Sequence, residues 1–281
     1  MKIDAHQHFW HYTPEAFGWI DDRMQAIGRD FLPEDLLPQI RAAGLDGVVS
    51  VQARQTVEET RWLLELAHTH AFIKGVVGWV PLVSPDVGGV LERFAGDDLL
   101  AGVRHVLQDE PDDDYMLRAD FNQGIDLLQR YDLAYDVLIF ERHLPQTIAF
   151  VDRHPDQRFV IDHVAKPRIQ DGVMAPWNSH LKRLAERPNC YCKVSGMVTE
   201  ADWCTWTEAD LRPYWETVLE AFGPSRLLFG SDWPVCRLAC DYARWYQTVA
   251  QFIAPLSDAE QARILGGTAA DIYRLAPAEN D

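Results

Sequence analysis

Eight short apolar runs alternate with segments of helical periodicity along this 281-residue chain. Strands that alternate with helices predict a parallel sheet, because each helix carries the chain back to the end of the sheet where the next strand begins. Eight such units close most simply into a barrel. We therefore predict an α/β protein with one domain over residues 1–281, a (β/α)8 TIM barrel. The predicted strands are 3–8, 47–53, 75–82, 101–107, 133–140, 159–164, 190–195 and 227–231.

The segments between these runs have apolar residues three and four positions apart, as amphipathic helices do. Thr56 is suited to cap the start of one of them, and Gly44 follows the end of another. An open doubly wound sheet is the competing architecture, but it would need a glycine-rich phosphate loop after an early strand, and the sequence has none. The predicted helices are 33–43, 57–70, 87–94, 120–130, 144–154, 177–187, 208–222, 242–253, 258–265 and 268–274.

The charge balance restricts the partners of this chain. The sequence has 43 acidic and 26 basic residues and a net charge of −17, which argues against nucleic acid or an anionic membrane surface as a partner. The first residues are polar rather than the apolar core of a signal peptide, and no apolar run has the length of a membrane span. With an odd number of five cysteines, these features predict a cytoplasmic protein with reduced thiols, and they leave the oligomeric state open.

Polar residues stand near the ends of seven of the eight predicted strands. In a TIM barrel the active groups gather at the carboxyl ends of the strands, so these residues are candidates for a common site. In strand order they are His6 and His8, Gln52 and Arg54, Arg104 and His105, Asp136, Asp162 and His163, Lys193 and Ser195, and Ser231 and Asp232.

His6 and His8 are two residues apart on the first strand, so their side chains point to the same face. Together with His163 and Asp232, they fit a site for one metal ion with nitrogen and oxygen ligands and an open position. They fit equally well a site without metal, in which several imidazoles lie over an electrophile. By itself, Asp232 could also be a helix N-cap, and a single strand histidine is usually a core residue.

Side-chain alternation points Arg104, Asp136 and Lys193 into the barrel. A buried lysine needs a partner, so we favour a structural ion pair of Lys193 with Asp136 over a direct role in catalysis. Arg104 is suited to bind a carbonyl oxygen or a carboxylate. Trp19 and Trp233 lie in or beside loops between strands and helices, where they could stack on a sugar ring.

The joint pattern of motifs resembles the amidohydrolase superfamily over essentially the whole chain. Within that superfamily it is similar to the branch of sugar lactonases, with which it shares Phe31-Leu32-Pro33-Glu34-Asp35-Leu36 and Val51-Gln52-Ala53-Arg54. The motifs that carry the wider resemblance are Asp4-Ala5-His6-Gln7-His8-Phe9-Trp10, Gly102-Val103-Arg104-His105, Ile161-Asp162-His163-Val164-Ala165-Lys166-Pro167, Lys193-Val194-Ser195-Gly196, Leu228-Phe229-Gly230-Ser231-Asp232-Trp233-Pro234 and Gly267-Thr268-Ala269-Ala270-Asp271-Ile272-Tyr273.

The resemblance implies that His6, His8 and Asp232 correspond to the metal ligands of the superfamily, with His163 beside them. Many members bind two metals through a carboxylated lysine or a glutamate and a further histidine on the fifth strand. This chain has Asp136 and no histidine at the end of that strand, so a two-metal site is not expected. The resemblance implies one divalent cation, such as zinc, as an optional cofactor, because some members of the lactonase branch work without metal.

The resemblance also implies the reaction. Members of the branch open aldonolactones such as L-fuconolactone to the sugar acid, which would place the chain in carbohydrate metabolism such as L-fucose degradation, with a small sugar lactone as its partner. We predict that Asp232 takes a proton from water and returns it to the ring oxygen that leaves. The residues predicted to polarise the carbonyl, with or without a cation, are His6, His8, His163 and Arg104. The residues predicted to contact the sugar are Gln52, Arg54, His105, Lys193, Trp19 and Trp233.

Two other functions remain open at this stage. A single-metal decarboxylase of an unsaturated or aromatic acid could use the same scaffold, with Arg104 as the clamp for the substrate carboxylate. A catalytically inactive barrel used for binding would tolerate the change Asp232→Asn. A metal-dependent nuclease is disfavoured by the charge of −17 and by the missing second metal site.

Overall fold

The computed structural model describes residues 1–94 and 96–276. Eight parallel strands form one sheet in which the order of the strands is their order along the chain. Neighbouring strands are hydrogen-bonded from β1 to β8. The strands are β1 (Ile3–Gln7), β2 (Gly47–Val51), β3 (Ile73–Gly78), β4 (Leu100–His105), β5 (Ala134–Val137), β6 (Phe159–Ile161), β7 (Cys190–Val194) and β8 (Leu227–Phe229).

The sheet closes between its first and last strands through the residues that follow β8. The Asp232 N–H donates to the His6 carbonyl oxygen at 2.8 Å, and the His8 N–H donates to the Trp233 carbonyl oxygen at 2.7 Å. The predicted (β/α)8 barrel is therefore confirmed. The closure also places the Asp232 backbone directly beside the first two candidate histidines.

Each of the ten predicted helices has a counterpart in the structure, and the ends differ by a few residues. Among the described residues, no helix is both long and apolar enough to cross a membrane. The helices are α1 (Pro33–Ala43), α2 (Val57–Thr69), α3 (Val87–Glu92), α4 (Ala119–Leu128), α5 (Leu144–Asp152), α6 (Trp177–Ala185), α7 (Glu208–Phe222), α8 (Tyr242–Ile253), α9 (Asp258–Ala262) and α10 (Thr268–Tyr273).

A π-helical turn, Arg263–Gly267, joins α9 to α10, so α9 ends at Ala262 rather than at the predicted residue 265. Gly266 in this turn packs against the first residues of the chain. A Cβ atom at that position would lie 2.4 Å from the Met1 carbonyl oxygen, so a side chain would push the turn away from β1. The turn thereby brings α10 under the barrel.

The apolar core has two parts. The larger part packs the helices against the outer face of the sheet. The smaller part fills the barrel interior and includes Ile272 and Tyr273 of α10, which close the amino-terminal end of the barrel. The Tyr273 hydroxyl donates to Asp136 at 2.7 Å, so the apolar plug ends at a layer of buried charges. That layer lies beneath the candidate site at the other end.

Candidate active site

A cavity of about 610 Å³ opens at the carboxyl ends of the strands, where a TIM barrel carries its active site. Its lining brings together residues from several strand ends that lie far apart in sequence. Six of the predicted site residues line it: His8, Trp19, Arg54, Arg104, His163 and Asp232.

The Asp232 carboxylate lies among three imidazoles at the base of this cavity. Its Oδ1 is 3.7 Å from His6 Nε2, 3.4 Å from His8 Nε2 and 3.9 Å from His163 Nε2. The two Nε2 atoms of His6 and His8 are 3.1 Å apart. All four side chains are nearly inaccessible to solvent. The structure therefore assembles the cluster that the strand ends predicted.

Backbone contacts determine which nitrogen of His8 faces the cluster. His8 Nδ1 lies 2.7 Å from the Val51 carbonyl oxygen, and a carbonyl can only accept a hydrogen bond. Nδ1 therefore carries a proton, and Nε2 is the ring nitrogen that points toward Asp232 and His6. A neutral imidazole that is oriented in this way is ready to bind a cation or to accept a proton.

His6 rests on a buried ionic layer. Its Nδ1 lies 3.3 Å from Asp162 Oδ1 and 3.2 Å from Lys193 Nζ. Lys193 forms the expected ion pair with Asp136 and lies 3.0 Å from Asp162 Oδ1, and all these side chains are fully buried. Burial holds the pKa of His6 well below its usual range, although Asp162 opposes this effect. His6 is therefore a neutral imidazole at neutral pH.

His163 reaches the cavity through an unusual turn after β6. The four residues His163, Val164, Ala165 and Lys166 have φ angles of 52°, 50°, 60° and 46°, respectively. Left-handed conformations of non-glycine residues are unfavourable by roughly 1–2 kcal/mol each, and they concentrate at functional sites. The turn places both His163 and Lys166 in the cavity lining. It also explains why β6 ends at Ile161, whereas the sequence predicted a strand that continues to residue 164.

Two neighbours determine the orientation of the His163 ring. Its Nδ1 is 2.9 Å from the Ser195 hydroxyl, which can donate or accept and so permits either tautomer. A Cβ atom on Gly196 would lie 2.6 Å from the ring, so only glycine leaves room for it there. Burial lowers the pKa of His163 to about 4, against the opposing effect of Asp232. The imidazole is therefore neutral near pH 7.

Trp177 anchors the left-handed turn, and this contact predicts a loss of stability on mutation. Its indole Nε1 donates to the Val164 carbonyl oxygen at 2.8 Å. We expect Trp177→Phe to lower the free energy of unfolding by about 1–3 kcal/mol in urea titrations, because the buried carbonyl loses its partner. The matched control is Trp233→Phe, since the buried Trp233 Nε1 has no hydrogen-bond partner within residues 1–94 and 96–276. Equal losses in both variants would contradict this explanation.

Asp232 also has a left-handed backbone, with φ of 56°. Burial raises the pKa of its carboxyl group, but the electrostatic interactions with His163, His8 and His6 lower it more strongly, so the net pKa lies below the usual range. The group is therefore a carboxylate over the ordinary pH range. Its alternative interpretation as a simple helix cap is not supported, because its carboxylate faces the imidazoles.

Four of the residues predicted to contact a sugar lie outside the cavity lining, which corrects their placement. Lys193 is fully buried in the ionic layer. Gln52 is fully buried, and its Nε2 donates to the Arg104 carbonyl oxygen at 3.2 Å. His105 lies beside Glu110, with 2.7 Å between Nε2 and Oε1. These three side chains are engaged by polar partners within the fold.

The tryptophan side chains divide between the cavity and the core. Trp233 is 1% exposed and packs against Phe9 and Phe31, with ring centroids 6.2 and 5.2 Å away. Trp19 is 41% exposed and lines the cavity, with its ring edge-on to Trp10 at 6.0 Å. Of the two predicted tryptophans, Trp19 lines the cavity and Trp233 belongs to the core.

The sequence placed Asp162 among the polar candidates at the strand ends but assigned it no role, and the predicted site residues did not include Lys166, Glu200 and Trp203. Alternation on β6 could have identified Asp162, because Val160 faces the barrel interior and Ile161 faces the helices. Lys166 is the last residue of the left-handed turn, and Glu200 and Trp203 lie in the loop after β7. No periodicity in the sequence indicates where such loop residues point.

The residues at the base of the cavity fit one divalent cation. His6, His8 and Asp232 offer ligand atoms that all lie within 4.8 Å of one another. A tetrahedral zinc ion with bonds of about 2.1 Å would separate its ligand atoms by roughly 3.4 Å. The observed separations of 3.1, 3.4 and 3.7 Å are close to this value.

A family model for amidohydrolases matches residues 3–275 of this sequence. The chain belongs to the amidohydrolase family. An L-fucono-1,5-lactonase of Burkholderia multivorans is 43% identical to this amidohydrolase over 286 residues, which cover 98% of this chain and 96% of the relative.

Solved structures agree with this assignment. A crystal structure of an amidohydrolase from Burkholderia multivorans with bound zinc has a TM-score of 0.94 and 43% identity, and the match covers 98% of this chain and 100% of that chain. A dihydroxybenzoic acid decarboxylase from a Polaromonas species with bound manganese has a TM-score of 0.70 and 14% identity, with 99% and 98% coverage. At that identity the likeness shows the fold alone.

Proposed function

We propose that this amidohydrolase hydrolyses a sugar lactone, with L-fuconolactone as the first substrate to test, and releases the open-chain sugar acid. The observation that carries the proposal is the Asp232 carboxylate, which lies 3.4–3.9 Å from the Nε2 atoms of three imidazoles at the base of the cavity. The 43% identity to an L-fucono-1,5-lactonase supports the substrate class. As an enzyme that breaks down a small sugar lactone, it would work in the cytoplasm.

Asp232 acts as the proton carrier in this reaction. Its carboxylate accepts a proton from water as the water oxygen attacks the lactone carbonyl, and the protonated carboxyl group then donates to the ring oxygen as the ring opens. A low pKa keeps Asp232 ionised but makes it a weak base, so the carbonyl must be strongly polarised. Lactones are activated esters, which reduces the demand on the base.

Polarisation of the carbonyl comes from the groups around Asp232. Arg104 lines the cavity and contributes positive charge there, while its Nη1 donates to Asp162 at 3.0 Å. The neutral imidazole of His163 can donate from Nε2 to the developing oxyanion when the Ser195 hydroxyl donates to Nδ1. A divalent cation, if bound, would be held by His6, His8 and Asp232, and it would supply Lewis-acid polarisation of the carbonyl oxygen.

The decarboxylase alternative is disfavoured by the contacts of Arg104. A decarboxylase would need this guanidinium to clamp the substrate carboxylate. In the structure Nη1 is bound by Asp162 and Nη2 by the Gln52 carbonyl oxygen, so both ends of the fork are occupied. The decarboxylases of similar structure share only the fold at 14% identity.

A pH-indicator screen of sugar lactones, run with and without a chelator, tests the proposal. We expect acid release from L-fuconolactone, and we expect it to persist after chelation, because His163 and Arg104 remain to polarise an activated ester. Zinc content is measured on the same samples, and readdition of zinc is the matched control. Release of carbon dioxide from dihydroxybenzoate without acid release from any lactone would contradict the proposal.

A further inference from the structure

One wall of the cavity has no role in the cluster around Asp232. We call Lys166, Glu200 and Trp203 the polar wall. Lys166 ends the left-handed turn after β6. Glu200 and Trp203 lie in the loop between β7 and α7. All of these residues line the same cavity as Asp232.

Lys166 and Glu200 form a loose and largely buried pair. Lys166 Nζ lies 3.9 Å from Glu200 Oε1, beyond hydrogen-bond distance, and the two side chains are only 17% and 22% exposed. Lys166 Nζ also lies 5.5 Å from the centroid of the Phe140 ring. Within residues 1–94 and 96–276, no side-chain hydrogen bond engages the ammonium or the carboxylate. Their donors and acceptors are therefore available to a ligand.

Such an arrangement is unfavourable unless something binds to it. Partial burial removes water from both charges, and a pair without hydrogen bonds recovers little of that loss. The left-handed backbone at Lys166 adds strain to the same wall, and strain of this kind is retained where it serves binding or catalysis. The wall therefore has the properties of a binding surface rather than of a stabilising contact.

Trp203 adds an apolar surface of fixed orientation. Its indole Nε1 donates to the Thr199 carbonyl oxygen at 2.9 Å, so the polar edge of the ring is satisfied within its own loop. A sugar ring has C–H faces that pack on an aromatic ring and hydroxyl groups that donate and accept hydrogen bonds. An aromatic ring, a carboxylate and an ammonium on one wall match these features.

We propose that the polar wall binds the ring hydroxyls of the lactone and determines the preference of the enzyme for polyhydroxylated lactones over unsubstituted ones. Glu200 accepts hydrogen bonds from hydroxyl groups, Lys166 donates to a hydroxyl oxygen, and Trp203 packs on the ring. The inference rests on the proposed function, because it assigns a second part of the same site. A site built to pair with hydroxyls discriminates strongly against an analogue that lacks them.

The test compares L-fucono-1,5-lactone with δ-valerolactone, which has the same six-membered ring without hydroxyls. We expect Glu200→Gln to lower kcat/KM for the sugar lactone about 10-fold, and Glu200→Ala and Lys166→Met about 100-fold, mainly through KM. The glutamine keeps one acceptor oxygen, so it rescues part of the loss. Values for δ-valerolactone should change less than about 2-fold in all three variants.

Two surface variants serve as matched controls. Glu58→Gln changes an exposed residue of α2 that lies outside the cavity lining. Lys182→Met removes an exposed lysine that pairs with Glu220 on the outside of the barrel. Both should leave the kinetics of the two lactones unchanged. Equal losses on both lactones in the wall variants would assign the wall a structural role and overturn the inference, as would unchanged kinetics with the sugar lactone.

A binding measurement separates this inference from the proposed function. The probe is 1,5-anhydro-L-fucitol, which keeps the ring hydroxyls of the lactone but has no carbonyl and cannot react. We expect calorimetry to show weaker binding in the wall variants by the same factors as in the kinetics, and unchanged binding in the two controls. Binding that is equal in the wild type and in the wall variants overturns the inference. A wild type that opens no sugar lactone overturns the proposed function instead.

Discussion

Asp232→Asn should reduce lactone hydrolysis by about two to four orders of magnitude in kcat, because the amide can neither accept a proton from water nor deliver one to the ring oxygen. The carboxylate is the anionic group that the three imidazoles surround, and Oδ1 is 3.4 Å from His8 Nε2. The rate of acid release in a pH-indicator assay measures the effect. The asparagine is close in shape, so the geometry of the cavity is retained.

The matched control for this prediction is Asp112→Asn, which makes the same chemical change on an exposed residue of the acidic loop after β4. We expect its activity to remain within about 2-fold of the wild type. Circular dichroism and the unfolding midpoint establish that the Asp232 variant is folded. Turnover of the Asp232 variant at the wild-type rate would rule out the proton-carrier role and would favour the alternative of a barrel used for binding.

Lys193→Met should lower the free energy of unfolding by about 3–5 kcal/mol, because it leaves the buried carboxylates of Asp136 and Asp162 without their shared cation. Lys193 Nζ lies 3.0 Å from Asp162 Oδ1 and also pairs with Asp136, and all three side chains are inaccessible to solvent. Urea titration monitored by fluorescence measures the loss. Lys182→Met, which breaks an exposed pair, should cost less than about 1 kcal/mol.

The loss in Lys193→Met should also depend on pH. Burial raises the pKa of Asp136 to about 6, although the charge of Lys193 lowers it, so removal of Lys193 raises it further. A carboxyl group whose pKa is higher in the folded state than in the unfolded state destabilises the fold as pH rises above the unfolded value. The difference from the wild type should therefore be smallest near about pH 4 and grow toward about pH 8.

The double variant Asp136→Asn/Lys193→Met provides the internal check. It removes one buried charge along with its partner, so we expect it to be more stable than Lys193→Met alone near neutral pH. An unfolding free energy for Lys193→Met that matches the wild type, or that is independent of pH, would show that the ionic layer contributes little. Activity measured on the same samples reports whether His6, which rests on this layer, keeps its position.

Much of the site was predictable because the alternation of strands and helices in a barrel determines which strand ends lie together. Once eight strands are parallel and closed, the residues near their carboxyl ends must face one mouth, and this placed His8, Arg104, His163 and Asp232 together. Alternation also predicted the ion pair of Lys193 with Asp136. These arguments need only the period of two along a strand and the closure of the sheet.

The same arguments were wrong where the backbone leaves the regular strand. Strict alternation along β6 would put His163 on the same face as Ile161, whereas Ile161 packs in the helix-facing core and His163 enters the cavity through a left-handed turn. Lys193 points inward as expected, but both it and the buried Gln52 lie beneath the cavity rather than in its lining. Depth along a strand depends on the stagger of the neighbouring strands, which a sequence pattern does not contain.

The sequence by itself therefore determined the barrel, the end that carries the candidate site and the placement of His6, His8, His163 and Asp232 at that end. Only the tertiary structure decided that these three imidazoles surround Asp232, that Lys193 also pairs with Asp162 beneath the cavity, and that Lys166 and Glu200 form a wall of the same cavity. The physical reason is the range of the interactions. Strand and helix periods arise from local backbone geometry, whereas left-handed turns and long loops take their shape from distant contacts such as Trp177 with Val164.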